Sequence, residues 1–268
     1  MIRNNIKFSS IDGTQLEGDF YNADKKGELS VLFVHGITSD RKEDNLFVDI
    51  AMELLNLNIS SFSFDLRAHG KSQRQQNELT LSGCINDIIS ATNLLLKETN
   101  TEKLIIIAAS FGGGISINAS SFFSNKMKSL ILLNPRLDYK PWAIDHEFWD
   151  KDQLSDIGKN KMNTEKYIIR NDFKIGMALF NELLCFEPAS VLKQLNIPVL
   201  FIHGDQDSIV PINISREHFN DNGNGKLIEV SGADHGFVLP DDENATNPQN
   251  IEYRNFVINS IVNWIKNV

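Results

Sequence analysis

Ser110, Asp207 and His235 are a nucleophile, an acid and a base in that chain order. A hydroxyl is almost wholly protonated near neutral pH, so Ser110 needs a base such as His235, and the base needs an acid to hold its ring. Ser110 lies in Ala108-Ala109-Ser110-Phe111-Gly112-Gly113-Gly114. The residues before it, Leu104 to Ala109, form a continuous apolar run that reads as a strand buried on both faces. The residues after the glycines, Ile115 to Ser121, can be helical. A serine between a buried strand and a helix start is forced into a sharp turn. Its hydroxyl is then exposed beside backbone N–H groups, the first being that of Phe111, which can hold a developing oxyanion. The pattern expected there is Gly-x-Ser-x-Gly. Here alanine takes the first small position, where strand and helix approach closely. Taken alone, a strand-to-helix turn with an incidental serine is the competing reading, as a merely solvated loop histidine is for His235.

The elements that must carry these residues follow a regular order. Residues 6–21 read as a hairpin turning at Asp12-Gly13. Strands are expected at Leu29–Val34, Ile59–Phe64, 104–109, Leu130–Leu133, Pro198–Ile202 and Lys226–Val230. Helical spacing of apolar residues marks 44–56, the stretch from Ile85 to Leu96, and a final helix from about Pro248 to Lys266. Strand–helix alternation predicts an α/β fold with a mainly parallel sheet and helices on both faces. Functional groups of such a sheet collect beyond the carboxyl ends of its strands. Those ends carry His35-Gly36, Asp65, Ser110, Asp207 and His235. The alternation pauses from about 136 to 188, a segment that reads as helical and holds Trp142, Phe148, Trp149, Phe173 and Phe180. We expect a single domain over 1–268 with this insertion acting as a cap, and Trp142 and Phe180 as its substrate contacts. Arg136 and Tyr139 offer polar groups at its start.

Composition narrows the function classes. The chain has 268 residues, 41% of them hydrophobic, and a net charge of −9. With no basic run interleaved with aromatics, nucleic acid is not an expected partner. Met1–Phe8 has no apolar leader core, and no stretch is long enough to span a membrane. Cys84 and Cys185 do not make a disulfide framework and read as thiols of a reducing cytoplasm. The histidines show no metal-ligand spacing with a supporting carboxylate, so neither metal nor cofactor is expected. His35 and His203, beside glycines at strand ends, are adequately explained as turn residues; His69 follows Asp65, His146 falls in the insertion and His218 in an expected helix. An exposed edge strand near the C-terminal helix makes a homodimer an expectation.

Five segments in order carry a family likeness: His35-Gly36-Ile37-Thr38, Asp65-Leu-Arg67-Ala-His69-Gly70-Lys-Ser72, Ser110-Phe-Gly112-Gly, His203-Gly-Asp-Gln-Asp207-Ser-Ile-Val-Pro211 and Gly232-Ala-Asp-His235. On these the chain resembles the α/β-hydrolase superfamily over nearly its whole length. Within it, the chain looks most like bacterial carboxylesterases related to cinnamoyl/feruloyl esterases and monoacylglycerol lipases. The resemblance implies that Asp207, rather than Asp205 or Asp234, is the orienting acid. It also implies that Ile37 supplies the second oxyanion N–H beside that of Phe111. Asp65 and Arg67 are expected to hold loop backbone near the nucleophile turn. The function expected is hydrolysis of small acyl or aryl esters through an acyl-enzyme on Ser110. Thioester or amide hydrolysis, acyl transfer, C–C cleavage and a non-catalytic ligand-binding module stay open. A proline-aminopeptidase type would need an acidic amine site, which the sequence does not locate.

Overall fold

The computed structural model describes all residues except 26, 145–146, 152, 171 and 243–244. Eight strands form one sheet: β1 (Ile2–Ser9), β2 (Gln15–Tyr21), β3 (Leu29–Val34), β4 (Ser60–Phe64), β5 (Lys103–Ala109), β6 (Met127–Leu133), β7 (Val199–Gly204) and β8 (Gly225–Val230). Their order across the sheet is β1-β2-β4-β3-β5-β6-β7-β8. β2 runs antiparallel to both of its neighbours, and every pairing from β4 to β8 is parallel. The flanking helices are α1 (Leu46–Asn56), α2 (Leu81–Thr99), α3 (Phe111–Ser120), α4 (Asn213–His218) and α5 (Pro248–Asn267).

β5 shows why the apolar runs become central strands. Leu104, Ile106 and Ala108 pack on one side of the sheet with the core of α2 and α3. Ile105, Ile107 and Ala109 pack on the other with α1 and α5. Strand side chains alternate faces, so a strand covered on both sides must be apolar at every position. α2 places Leu81, Cys84, Ile88, Ala91 and Leu95 on its buried stripe. Thr80 caps its start by accepting the Gly83 N–H at 3.0 Å. No described helix is long and apolar enough to cross a membrane.

The first hairpin begins at Ile2, earlier than the residue 6 expected, and its register shifts between Arg3 and Ile6. Asn5, at φ 58°, lies in that irregularity, and its side-chain carbonyl accepts from Arg41 at 2.8 Å. Arg41 also reaches Asp19 at 2.7 Å, Asp65 at 2.8 Å and Glu17 at 3.3 Å. This buried ionic cluster holds the loop after β3 against β2 and the end of β4.

The 136–188 insertion is not the purely helical segment expected. It holds short helices at Lys140–Ile144, Asp156–Glu165 and Met177–Leu183, and small hairpins at Trp149–Asp150/Gln153–Leu154 and Tyr167–Arg170/Phe173–Gly176. The alternation of Tyr167-Ile168-Ile169-Arg170 and Phe173-Lys174-Ile175-Gly176 is strand-like. Ile168, Phe173 and Ile175 turn inward while Ile169 and Lys174 face out. Phe148, Phe173 and Phe180 join the same core as α2 and α3, so much of the insertion's aromatic content docks it onto the sheet. Phe173 stacks on His69 with ring centroids 5.3 Å apart, and Glu182 accepts from the Leu81 N–H and from the Ser82 hydroxyl at the start of α2. His146 lies outside the described residues.

Candidate active site

Ser110 stands between β5 and α3 with φ 47° and ψ −119°, a conformation that non-glycine residues rarely hold. Backbone hydrogen bonds fix it there. Its N–H donates to the Leu133 carbonyl at 2.8 Å, and its carbonyl accepts from Arg136 at 2.9 Å and Gly113 at 3.0 Å. The small residues on its helical side are required by close approach. A Cβ on Gly112 would sit 2.6 Å from the His35 carbonyl oxygen, and one on Gly113 would sit 2.8 Å from Pro135. Ala108 is fully buried and fits its position as a strand residue of the core.

The three residues singled out by type and order come together. His235 Nε2 lies 3.1 Å from Ser110 Oγ, and His235 Nδ1 lies 2.8 Å from Asp207 Oδ2. Asp207 Oδ1 accepts the backbone N–H groups of Ile209 at 2.9 Å and Val210 at 2.7 Å. Burial pushes the Asp207 carboxyl up. Hydrogen bonds from His203, His235 and Val210 outweigh it and hold the group well below the usual carboxylate range. An ionised carboxylate only accepts, so His235 Nδ1 carries the proton and Nε2 is left to accept the Ser110 hydroxyl. That arrangement can draw the proton from Ser110 as its oxygen attacks an electrophile.

Neither neighbouring aspartate competes. Asp205 accepts the Gly232 N–H at 2.7 Å and ties the loop after β7 to the loop after β8. Asp234 accepts from the Ser208 N–H and hydroxyl, and from the His235 N–H at 2.6 Å. Cys84 is fully buried, and burial pushes its thiol well above its ordinary pKa.

A cavity of about 170 Å³ opens beside Ser110, lined by Ile37, Thr38, Phe111, Arg136, Trp142, Ile209 and His235. The N–H groups of Ile37 and Phe111 donate to no described group. That of Phe111 is the first of α3, at the positive end of the helix dipole. Of the expected substrate contacts, Trp142 lines this cavity and Phe180 does not. Phe180 is buried against Trp149, 5.5 Å between ring centroids, because its helix turns it into the shared core. Tyr139 is not free for a ligand either: it is fully buried and its hydroxyl donates to the Phe111 carbonyl.

A family model described as alpha/beta hydrolase fold matches residues 30–165, just over half of the 268. The chain belongs to the alpha/beta hydrolase fold family. The matched span includes Ser110 and ends before β7 and β8, whose following loops carry Asp207 and His235. No curated protein matches by sequence. Among solved structures, the hydrolase is similar to Est1E from Butyrivibrio proteoclasticus with ferulic acid bound. The identity is 20%, with 96% of this chain and 99% of that one covered at a TM-score of 0.75. It is similar to alpha/beta hydrolase domain-containing protein 10 from mouse at 16% identity, covering 98% and 99% with a TM-score of 0.73. An esterase from Pyrococcus furiosus aligns at 16% identity over 99% and 91%, with a TM-score of 0.69. These likenesses show a shared fold.

Several residues of this hydrolase gain a role that their sequence context did not reveal. His203 is no mere turn residue. Its Nε2 lies 3.2 Å from Asp207 Oδ2 and 2.9 Å from the Val210 carbonyl, while Ser215 of α4 meets its Nδ1 at 2.7 Å. Its one Nε2–H is accepted by the Val210 carbonyl and also faces the acid, which it helps to keep ionised. Its spacing four residues before Asp207 was the available signal. His35 Nε2 accepts the Leu66 N–H at 2.9 Å while Nδ1 faces the Gly36 carbonyl at 2.7 Å. Burial holds this ring at a pKa of about 4, neutral and fixed in one tautomer. It links the loop after β4 to the loop bearing Ile37, as Asp65 also does through Arg41. Asp65 accepts from the Arg41 and Lys71 N–H groups, and Arg67 turns away to Asp87 and Asp12.

Glu43 lies behind the same loop. Its Oε2 accepts the Gly36 N–H at 2.7 Å, and it shares a small cavity of about 40 Å³ with Ser110, Asn134 and His235. It begins a run of left-handed non-glycine residues, Glu43, Asp44 and Asn45 at φ 46°, 50° and 66°. Burial pushes the Glu43 carboxyl up to about 7, against the Gly36 hydrogen bond and the His235 charge, which pull it down. Between the ordinary value of 4.5 and about 7, the folded chain retains a proton that the unfolded chain has released. Stability is therefore lost as pH rises through that window. Glu43→Gln keeps an acceptor for Gly36 and removes the titration. Its melting temperature should exceed that of the wild type at about pH 8 but not at about pH 4. A difference that does not change with pH would refute this account of Glu43.

Proposed function

We propose that the chain is a serine hydrolase of short carboxylic esters. The observation that carries this reading is the hydrogen-bonded chain Ser110–His235–Asp207 at the wall of a cavity also lined by Ile37 and Phe111, whose N–H groups donate to no described group. Ser110 Oγ attacks the ester carbonyl as His235 Nε2 takes its proton. The carbonyl oxygen becomes an oxyanion and is held by the Phe111 and Ile37 N–H groups. His235 returns the proton to the departing alcohol, leaving an acyl group on Ser110. Water then attacks that acyl carbon, His235 again serving as base, and the free acid leaves. The 136–188 insertion acts as the cap: its Trp142 covers the cavity while its other aromatic side chains anchor it. The esterases among the structural relatives support an ester as the electrophile.

The cavity is smaller than the roughly 300–1,000 Å³ typical of sites for drug-sized ligands, so short acyl groups are favoured. Turnover of p-nitrophenyl acetate, butyrate and octanoate tests this, with the p-nitroanilide of butyric acid alongside. Acetate and butyrate should be hydrolysed, octanoate at least about tenfold less efficiently in kcat/KM, and the anilide least of all. Faster cleavage of the anilide, or no cleavage of any ester, would contradict the proposal.

A further inference from the structure

The cavity beside Ser110 holds a positive charge that no ion pair among the described residues balances. Among the described residues three arginines are buried: Arg41, Arg67 and Arg136. Arg41 is paired with Asp19, Asp65 and Glu17, and Arg67 with Asp87 and Asp12. Arg136 is only 9% exposed, yet among the described residues no carboxylate lies within ion-pair distance of it. Its Nη2 donates to the Ile209 carbonyl at 3.0 Å, and its guanidinium carbon lies 5.7 Å from the centre of the Trp142 ring. Ile209 and Trp142 line the cavity with Ser110 and His235, so the charged head stands at the cavity wall. A guanidinium has five N–H donors, and among the described residues Arg136 uses one of them.

The surroundings do not supply the missing anion. Burial pulls the Arg136 pKa down. Tyr139, Asp207 and Asp138 oppose this, neither carboxylate within ion-pair distance, and Arg170 adds a like charge. Arg170 itself leaves a buried Nε without a hydrogen-bond partner among the described residues. Asp207 is already committed to His235, His203 and two backbone N–H groups. Arginine stays protonated when buried, and an unpaired buried charge is costly unless a ligand completes it. A planar fork with free N–H groups matches a carboxylate, which it can bind through two parallel hydrogen bonds.

We propose that Arg136 binds a carboxylate on the substrate, so that the favoured esters are half-esters of short dicarboxylic acids. This specificity rests on the ester-hydrolase reading above. The cavity volume leaves room for a few methylenes between the reacting carbonyl near Ser110 and the carboxylate at Arg136. Hydrolysis then releases an alcohol and a dicarboxylate.

Monomethyl glutarate and methyl pentanoate form the matched pair, since they differ by a carboxylate in place of a methyl group. Proton release measured at fixed pH gives kcat/KM for each. The wild type should favour monomethyl glutarate by about tenfold or more, chiefly through KM. Arg136→Met should bring that ratio to about one or below, and Arg136→Lys, which keeps the charge without the fork, should fall between. The Lys variant also serves if the Met variant does not fold. Separately, glutarate should raise the melting temperature of the wild type more than pentanoate does, and should lose that advantage in Arg136→Met. Stabilisation by glutarate without turnover of either ester would support the carboxylate site while removing the ester reading. A wild type that hydrolyses methyl pentanoate at least as well as monomethyl glutarate, or a preference unchanged in both variants, would overturn the assignment of Arg136.

Discussion

Replacing Ser110 with alanine should lower kcat for p-nitrophenyl butyrate by about 10⁴-fold or more, with the fold intact. The size of the loss follows from the role of the hydroxyl, which forms the covalent intermediate and which no other group in the cavity can replace. Thr38 shares the cavity, but its backbone at φ 66° belongs to the loop after β3, and no described hydrogen bond joins it to His235. Alanine adopts the φ of 47° at position 110 no less readily than serine. The backbone bonds to Leu133, Arg136 and Gly113 do not involve the side chain, so the turn should persist. Hydrolysis left in the variant would come from the oxyanion donors and substrate positioning alone. Unchanged kcat would mean that another residue attacks the ester.

Asp207→Asn should cost about 10³- to 10⁴-fold in kcat, and the hydrogen-bond directions explain why so conservative a change does so much. Asp207 Oδ1 faces two backbone donors, the N–H groups of Ile209 and Val210. An asparagine must turn its carbonyl oxygen to them, because its NH₂ would meet N–H groups head on. The NH₂ then replaces Oδ2, where His235 Nδ1 and His203 Nε2 both approach. To accept from it, His235 must move its proton to Nε2, which then faces Ser110 and can no longer take a proton. His203 adds to the mismatch, because its Nε2–H, which the Val210 carbonyl accepts, lies 3.2 Å from the same oxygen position. The loss should appear in kcat with little change in KM, since Asp207 does not touch the substrate cavity. A variant with near-wild-type kcat would show that the acid is not setting the tautomer of His235.

The sequence and the structure agree most closely where one physical signal is enough. Val31–Val34 and Leu104–Ala109 are apolar throughout because helices cover both sides of those strands, and the apolar runs mark β3 and β5 closely. Ser110, Asp207 and His235 were legible because strand ends gather function and because their order in the chain is diagnostic. The insertion was less so. Its strands are two to four residues long, too short for an alternation to stand out from a helical background. Phe180 looked like a cavity wall because aromatic residues serve docking and binding equally well, and only the packing against Trp149 separates the two. Glu43 and His203 were not read as parts of the site for another reason. Each acts through a contact with a loop or residue fixed by tertiary structure, Gly36 in one case and the far oxygen of Asp207 in the other. The burial of Arg136 without an ion pair is likewise a property of the folded chain.

The most direct test of the central claim is covalent labelling with a fluorophosphonate, read by mass spectrometry of the digested protein. A phosphonyl adduct should form on the peptide containing Ser110 and on no other serine. It should be absent from Ser110→Ala and form far more slowly in His235→Ala, which keeps the hydroxyl but lacks the base. A protein that hydrolyses esters without labelling at Ser110, or that labels there equally fast without His235, would contradict the account.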